Sequence, residues 1–296
     1  MFDWIRGGLA TGRRHRRLVL VVYLASLLPA LLWALAALPG LKDAFGDRPL
    51  ADGLLGKGAF QVWMEFAASD EFHLGPLVDA IPILLGITWL LHILVSAGSM
   101  NVLLRGSGLE GSFLVGIRRF SGRFLRSALA FGLTLIPVLV VMGRGFRLGG
   151  DLAEKSGNAN LRLALIFVSM AVAFLLFLLL DLAYDLSRLA AVAQDGRQTF
   201  RGFFRALFAL LRRPGKLLGM YLGFIFLVLA VVLLYQLLRG SFAAASALGI
   251  FFALLLQQLS MALRSYLQVS LLGGEVAAYR ALGSSNWCRG PGPSGS

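Results

Sequence analysis

Six long apolar stretches, separated by polar and charged segments, dominate this sequence. They occupy residues 18–38, 80–98, 127–143, 163–180, 217–238 and 244–263. Each stretch is close to the ~20 residues that an α-helix needs to cross a hydrocarbon layer about 30 Å thick. The pattern predicts an all-α, polytopic integral membrane protein with six transmembrane helices.

The first stretch has two interpretations. It follows Arg13, Arg14, Arg16 and Arg17 and ends in Ala34-Leu35-Ala36, an arrangement that resembles a cleavable signal peptide. Its apolar run of about 21 residues is longer than the 7–15 residues of a signal-peptide core. We therefore interpret it as an uncleaved first span.

Basic residues are distributed unevenly between the two sides of these spans. Twenty of the 28 Lys and Arg residues, with four acidic residues, lie in segments 1–17, 99–126, 186–216 and 264–296. The segments on the opposite side carry eight basic and eight acidic residues. Positive charge stays on the cytoplasmic side, so we expect both termini to be cytoplasmic, in a membrane of the bacterial inner-membrane type.

The net charge of +13 does not indicate a nucleic-acid partner. The basic residues lie close to the span ends, where they orient the protein and attract anionic lipid head groups. With 58% hydrophobic residues, the chain has little material for a soluble module that could bind nucleic acid. We expect one transmembrane domain over 1–283 and a Gly/Pro/Ser-rich disordered cytoplasmic tail over 284–296.

Two segments on the basic side have helical apolar stripes interleaved with arginines. In the first, Phe113, Ile117, Phe120 and Phe124 are spaced by four, three and four residues. The second, near 200–211, has a similar stripe, and both predict basic amphipathic connecting helices at the cytoplasmic membrane surface. The candidate contacts with anionic lipids are Arg118, Arg119, Arg123, Arg201, Arg205, Arg212, Arg213 and Lys216.

The ends of these two segments, 118–125 and 212–218, have similar residues. The similarity indicates either a parallel internal repeat or the residue types that cytoplasmic connections share.

Ionisable residues at membrane depth are the candidates for function, because each is costly in hydrocarbon unless it is paired or hydrated. Asp181 and Asp185 are one helical turn apart and are followed by Arg188, three residues further on. We expect a structural cluster of these carboxylates with arginines, although two carboxylates could also bind a cation or relay protons. Arg264 either joins them or marks a span boundary, and His92 is expected to be a packing residue rather than a ligand.

Signatures of catalysis are missing from the sequence. It contains no phosphate-binding Gly-rich loop ending in Gly-Lys-Ser/Thr, no His-Glu-x-x-His and no Gly-x-Ser-x-Gly. Its single cysteine, Cys288, excludes an intrachain disulfide and a multi-cysteine metal site. We therefore predict no catalytic residue, no cofactor, no metal and no enzymatic activity.

Three short stretches resemble a broad group of uncharacterised six-span bacterial membrane proteins related to the membrane domain of some glycerophosphoryl diester phosphodiesterases. They are Phe113-Leu114-Val115-Gly116 continuing to Arg123-Phe124-Leu125-Arg126, Asp181-Leu182-Ala183-Tyr184-Asp185-Leu186-Ser187-Arg188, and Arg213-Pro214-Gly215-Lys216 continuing to Gly219-Met220-Tyr221. With the span pattern, the resemblance covers most of 80–280. It implies an all-helical inner-membrane fold and no established activity, since the soluble phosphodiesterase barrel is absent from this sequence.

The features favour a non-enzymatic accessory or scaffold protein that acts through membrane lipids, through a protein partner or as a homo-oligomer. The alternative is a transporter or permease for a small or lipid-like substrate. The similar segments, the prolines inside the first three spans and the polar residues at membrane depth support that alternative.

Overall fold

The computed structural model describes residues 2–45, 75–105, 109–156, 159–195, 199–212, 214–239 and 247–283, and this part is almost entirely α-helical. Its helices are α1 (Phe2–Arg14), α2 (Arg16–Phe45), α3 (Gly75–Arg105), α4 (Leu109–Ser156), α5 (Ala159–Ala193), α6 (Thr199–Arg212), α7 (Pro214–Arg239) and α8 (Ala247–Gly283). Six of these helices, namely α2, α3, α4, α5, α7 and α8, are long and apolar enough to cross a membrane. The predicted all-α membrane protein with six spans is confirmed. The tail 284–296 lies outside the described residues.

The helices α4 and α5 form the most extensive pair in the bundle. At 1.5 Å per residue, the 48 residues of α4 extend about 72 Å, more than twice the thickness of the hydrocarbon layer. Pro137 lies inside α4 without ending it, as membrane helices allow when neighbouring helices support the freed backbone groups. Packing against α5 thus carries α4 well beyond the apolar stretch predicted at 127–143.

Of the two predicted amphipathic connecting helices, α6 is a separate helix and the other is not. Residues 113–124 form the beginning of α4 and continue without a break into the third span. The reason is that the phenylalanine stripe stays in phase with the span. Phe120 and Phe124 are fully buried, and two turns further on Phe131 stacks on Tyr184 of α5, with 5.0 Å between ring centroids.

Burial is concentrated at one end of the bundle. Buried side chains concentrate in 18–22 of α2, 93–103 of α3, 116–130 of α4, 178–192 of α5, 217–224 of α7 and 265–278 of α8. These segments alternate between the beginning and the end of successive spans, as expected for spans that run up and down and meet at one side. We call this side the packed end. The opposite halves of the spans expose many leucine and phenylalanine side chains, a surface suited to lipid chains.

Polar contacts between helices also mark the packed end. Arg280, near the end of α8, donates to the carbonyl oxygen of Leu104 at 2.9 Å and so caps the end of α3. Asn101 of α3 donates to the carbonyl oxygen of Ser112 at the beginning of α4, at 2.6 Å. The Arg280 contact satisfies a carbonyl at the C-terminal end of α3, and each of the two contacts holds two helices together.

The amphipathic helix α1, which the sequence analysis missed, docks on the last part of α8. Gly8 and Gly12 are buried there, close to Ser270. The hydroxyl of Tyr266 donates to the carbonyl oxygen of Leu9 at 2.8 Å. Glycines spaced by four residues let two helix backbones approach closely. The spacing of Gly8 and Gly12 could therefore have predicted from the sequence that α1 packs against another helix.

We predict opposite effects for alanine at two adjacent glycines of α1. In Gly7→Ala the new Cβ meets nothing within 4 Å, and alanine favours a helix over glycine by about 1 kcal/mol, so stability should hold or rise. In Gly8→Ala the new Cβ would overlap the backbone carbonyl oxygen of Ser270. We expect a loss of about 1–3 kcal/mol in thermal unfolding, and faster hydrogen exchange in α1. Equal behaviour of the two variants would contradict the docked position of α1.

Candidate functional site

A buried ion pair lies on α5 at the packed end. Asp185 and Arg188 are 6% and 3% exposed, and Arg188 Nη2 lies against Asp185 Oδ1. The contact is an ion pair between residues three apart on one helix. The three-residue spacing that predicted an intrahelical pair therefore brings the two charges together.

Aromatic rings enclose the guanidinium group of Arg188. Its Cζ atom lies 4.1 Å from the ring centroid of Tyr184 and 5.5 Å from that of Phe124 on α4. A cation over an aromatic face is attracted by the ring quadrupole, more strongly where water is excluded. Among the described residues, Arg188 Nε and Nη1 have no hydrogen-bond partner. The guanidinium charge of Arg188 is thus stabilised by one carboxylate and two aromatic rings, and the N–H groups of two of its nitrogens remain available as donors.

Asp181, one turn before Asp185, links α5 to α7. It is partly buried and accepts a hydrogen bond from the hydroxyl of Tyr221, a side chain that is itself 6% exposed. The charge of Arg188 also acts on Asp181. The carboxylates of Asp181 and Asp185 therefore have separate partners.

Glu275 of α8 completes the buried polar cluster, and the sequence analysis missed it. The side chain is fully buried, and neither of its oxygens has a hydrogen-bond partner among the described residues. The charges of Arg188 and Asp181 both act on it. The cluster consists of Asp181, Tyr184, Asp185 and Arg188 on α5, Tyr221 on α7 and Glu275 on α8.

Glu275 escaped prediction because residues beyond 263 were assigned to a cytoplasmic connection. The helix α8 instead continues to Gly283. The signal was the run of apolar residues after Arg264, since Val269, Leu272 and Val276 recur at helical spacing and are all buried.

The other two members of the predicted set lie outside the buried cluster. His92 is exposed on α3, although the charge of Arg188 still acts on it. Arg264 is exposed on α8 and pairs with neither aspartate. The expectation that Arg264 joins the aspartates is therefore wrong, because Arg188 of the same helix as Asp185 occupies that position.

A second charged site lies on the surface of the packed end. Arg119 and Arg123 of α4 both donate to Asp195, just after the end of α5. Hydrogen bonds from Arg123 and Arg119 hold the pKa of Asp195 below its ordinary value. The backbone of Asp195 has a φ of 53°, in the left-handed region that few residues other than glycine adopt.

The remaining predicted lipid contacts surround this second site in part. Arg118, Arg205 and Lys216 are exposed. The side chains of Arg201 and Arg212, and all of Arg213, lie outside what the structure describes. The described arginines on α4 and α6 therefore present positive charge at the packed end.

The chemistry open to these two sites is binding and electrostatics. Within the described ranges, no three His, Cys, Asp or Glu side chains are grouped so that they could hold a metal ion. No protein-family model, curated protein or solved structure matches this chain. The resemblance to the phosphodiesterase-associated membrane domain stays a prediction, and the functional argument depends on the geometry of the chain itself.

We predict that the two buried acids respond differently to neutralisation. Asp185→Asn leaves the guanidinium of Arg188 desolvated without a counter-charge, which costs about 3–5 kcal/mol, so the folded yield and the thermal stability should fall. Glu275→Gln removes a carboxyl group that has no hydrogen-bond partner among the described residues, and stability should change by less than about 1 kcal/mol.

The double variant Asp185→Asn/Arg188→Gln tests the pairing directly. Because both charges are removed, it should be more stable than Asp185→Asn alone. A double variant that is less stable than Asp185→Asn would show that Arg188 is not the group stranded by the single substitution.

Proposed function

We propose that this protein is a non-enzymatic accessory or scaffold of the bacterial inner membrane that acts through anionic lipids at its packed end. The supporting observation is the placement of α6. Phe203 and Leu210 are fully buried in the bundle, whereas Phe204 and Phe208 are 46% and 64% exposed. Arg205 is exposed beside them.

The exposed side of α6 therefore carries both aromatic and basic side chains. This combination suits the boundary between head groups and acyl chains, where rings enter the apolar layer and arginines meet phosphates. A helix that is buried on one side and amphipathic on the other fits a position flat against the membrane surface. Here the head-group charge adds about 1 kcal/mol of attraction per basic residue.

We also propose an orientation of the protein in the membrane. Because 20 of the 28 Lys and Arg residues lie on the side of the packed end, we place that end, and both termini, in the cytoplasm. The absence of catalytic motifs from the sequence supports a role without chemistry. A protein partner or a second copy of the chain is compatible with the same surface, whereas nucleic acid is not proposed as a partner.

Lipid retention by the full-length protein tests the function. Native mass spectrometry should show preferential retention of phosphatidylglycerol over phosphatidylcholine. The double variant Arg205→Gln/Lys216→Gln should reduce that preference about thirtyfold, since each well-placed charge contributes ~1 kcal/mol. The matched control Arg147→Gln/Arg239→Gln removes the same charge from exposed positions in the opposite halves of α4 and α7. Equal retention by both variants would contradict a lipid site at the packed end.

Cysteine accessibility tests the orientation, after replacement of the native Cys288 by serine. Cysteines introduced at Asp52 and Asn158 should react with a membrane-impermeant reagent in intact cells. Cysteines at Ser107 and Gln198 should react only after permeabilisation. Labelling of the Ser107 position in intact cells would reverse the proposed orientation.

Transport of a small or lipid-like substrate is the second candidate, and the unpartnered carboxyl group of Glu275 favours it. Ionisable side chains between spans are a recurring feature of coupling sites in transporters. If the cluster couples transport, Glu275→Gln should fold normally and abolish charge movement when candidate solutes are applied to proteoliposomes. Charge movement that persists in Glu275→Gln would remove this residue from any coupling role.

A further inference from the structure

Arg119 and Arg123 present a set of donors that converge on two oxygens. Arg123 Nη1 donates to Asp195 Oδ1 at 2.7 Å, and Arg119 Nε approaches the same oxygen at 3.3 Å. Arg119 Nη2 donates to the other oxygen, Oδ2. Three donors from successive turns of α4 therefore surround one carboxylate, and we call this pair of arginines the arginine fork.

A carboxylate and a phosphate offer such a fork similar oxygens. Guanidinium groups bind both of them in the same two-pronged geometry. The two differ in charge, since a phosphomonoester carries about −1.5 to −2 near neutral pH and a carboxylate carries −1. The fork therefore has the donor arrangement of a phosphate site, with Asp195 in the position of the ligand.

The arginine fork is held in place by the core yet open to the surroundings. Both guanidinium groups lie over the ring of Phe120, at 5.8 Å for Arg119 and 5.2 Å for Arg123, and Phe120 is fully buried. The side chains are still 45% and 20% exposed. A ligand can thus reach donors whose position is already set, which lowers the entropic cost of binding.

The arginine fork lies on α4 near the level expected for lipid head groups. Further along α4, Leu125 and Leu129 are exposed apolar side chains that suit the hydrocarbon layer. Arg118 and Arg126 are exposed beside them. Exposed basic and exposed apolar side chains are thus interleaved on α4 around the fork, as expected near the level of the lipid phosphates.

We propose that the arginine fork is a binding site for the phosphomonoester head group of an anionic lipid, and that Asp195 occupies it as an internal competitor. The proposal rests on the proposed function and names the lipid class and a regulatory residue for it. Binding exchanges the Asp195 carboxylate for the phosphate. It releases the Asp195 carboxylate from its hydrogen bonds with both arginines.

Lipid titrations of the full-length protein in neutral detergent test the proposal, with phosphatidic acid, phosphatidylglycerol and phosphatidylcholine as probes. Phosphatidic acid should bind most tightly because of its larger phosphate charge. Arg119→Gln/Arg123→Gln should weaken it at least about tenfold, since each charge-assisted hydrogen bond contributes enough to change affinity severalfold. Asp195→Asn keeps the shape of the competitor but removes its charge, and should tighten binding by about three- to tenfold.

The control variant is Arg144→Gln/Arg147→Gln, which removes the same charge from exposed positions of the same helix in the half away from the packed end. It should change phosphatidic acid affinity by less than about threefold, because neither charge lies near the arginine fork. Thermal unfolding confirms that each variant is folded. Equal weakening by the fork and control variants, or an Asp195→Asn protein that binds no more tightly than the parent, would overturn the site.

Two further experiments distinguish lipid phosphate from free phosphate, and the fork proposal from the proposed function. Inorganic phosphate at millimolar concentration should not displace phosphatidic acid. If it displaces the lipid, the site is one for free phosphate and the lipid assignment fails. If the fork variant binds normally while Arg205→Gln/Lys216→Gln loses lipid preference, the fork proposal fails and the proposed function stands. If every variant keeps the lipid preference of the parent protein, both proposals are refuted.

Discussion

A guanidinium group enclosed by membrane helices must be compensated by the helices around it, because hydrocarbon supplies no hydrogen bonds and no counter-charge. Arg188 imposes this requirement here. Its own helix supplies Asp185 and Tyr184, and α4 supplies Phe124. The carboxyl groups of Asp181 on the same helix and Glu275 on α8 lie within electrostatic range, so three of the spans converge on that one charge at the packed end.

The same constraint explains why packing is so uneven along the spans. Apolar side chains have little reason to leave lipid for another apolar surface, so helices in a membrane associate through polar contacts and small residues. In this chain those contacts are concentrated at the packed end, where Asn101 bonds to the backbone of Ser112 and Tyr221 bonds to Asp181. The contact of Tyr23 with Gln258, at 2.6 Å, is an exception that joins α2 and α8 beyond it. The opposite halves expose many apolar side chains, although α4 and α5 stay in contact there, where Gly145 lies against Ser169.

The sequence predicted what depends on composition and short spacing, and missed what depends on contacts between distant segments. Six spans and the pairing of Asp185 with Arg188 follow from apolar runs and from helical geometry. The length of α4 and the burial of Glu275 do not, because hydropathy marks where a helix crosses hydrocarbon and not where packing ends. The docking of α1 brings Gly8 and Gly12 against Ser270, more than 250 residues away, and the glycine spacing indicates a contact surface on α1 without identifying its partner.

The contact between α1 and α8 also bears on the order of assembly. At a synthesis rate of about 5–20 residues per second, the ~260 residues that separate Gly8 from Ser270 take tens of seconds to make. During most of that time α8, with which α1 forms its most extensive contact, is absent, and the amphipathic character of α1 lets it lie on the membrane surface. Helix α1 can therefore dock on α8 only after this last span has been inserted. A docked α1 thus indicates that synthesis of the membrane domain has reached α8.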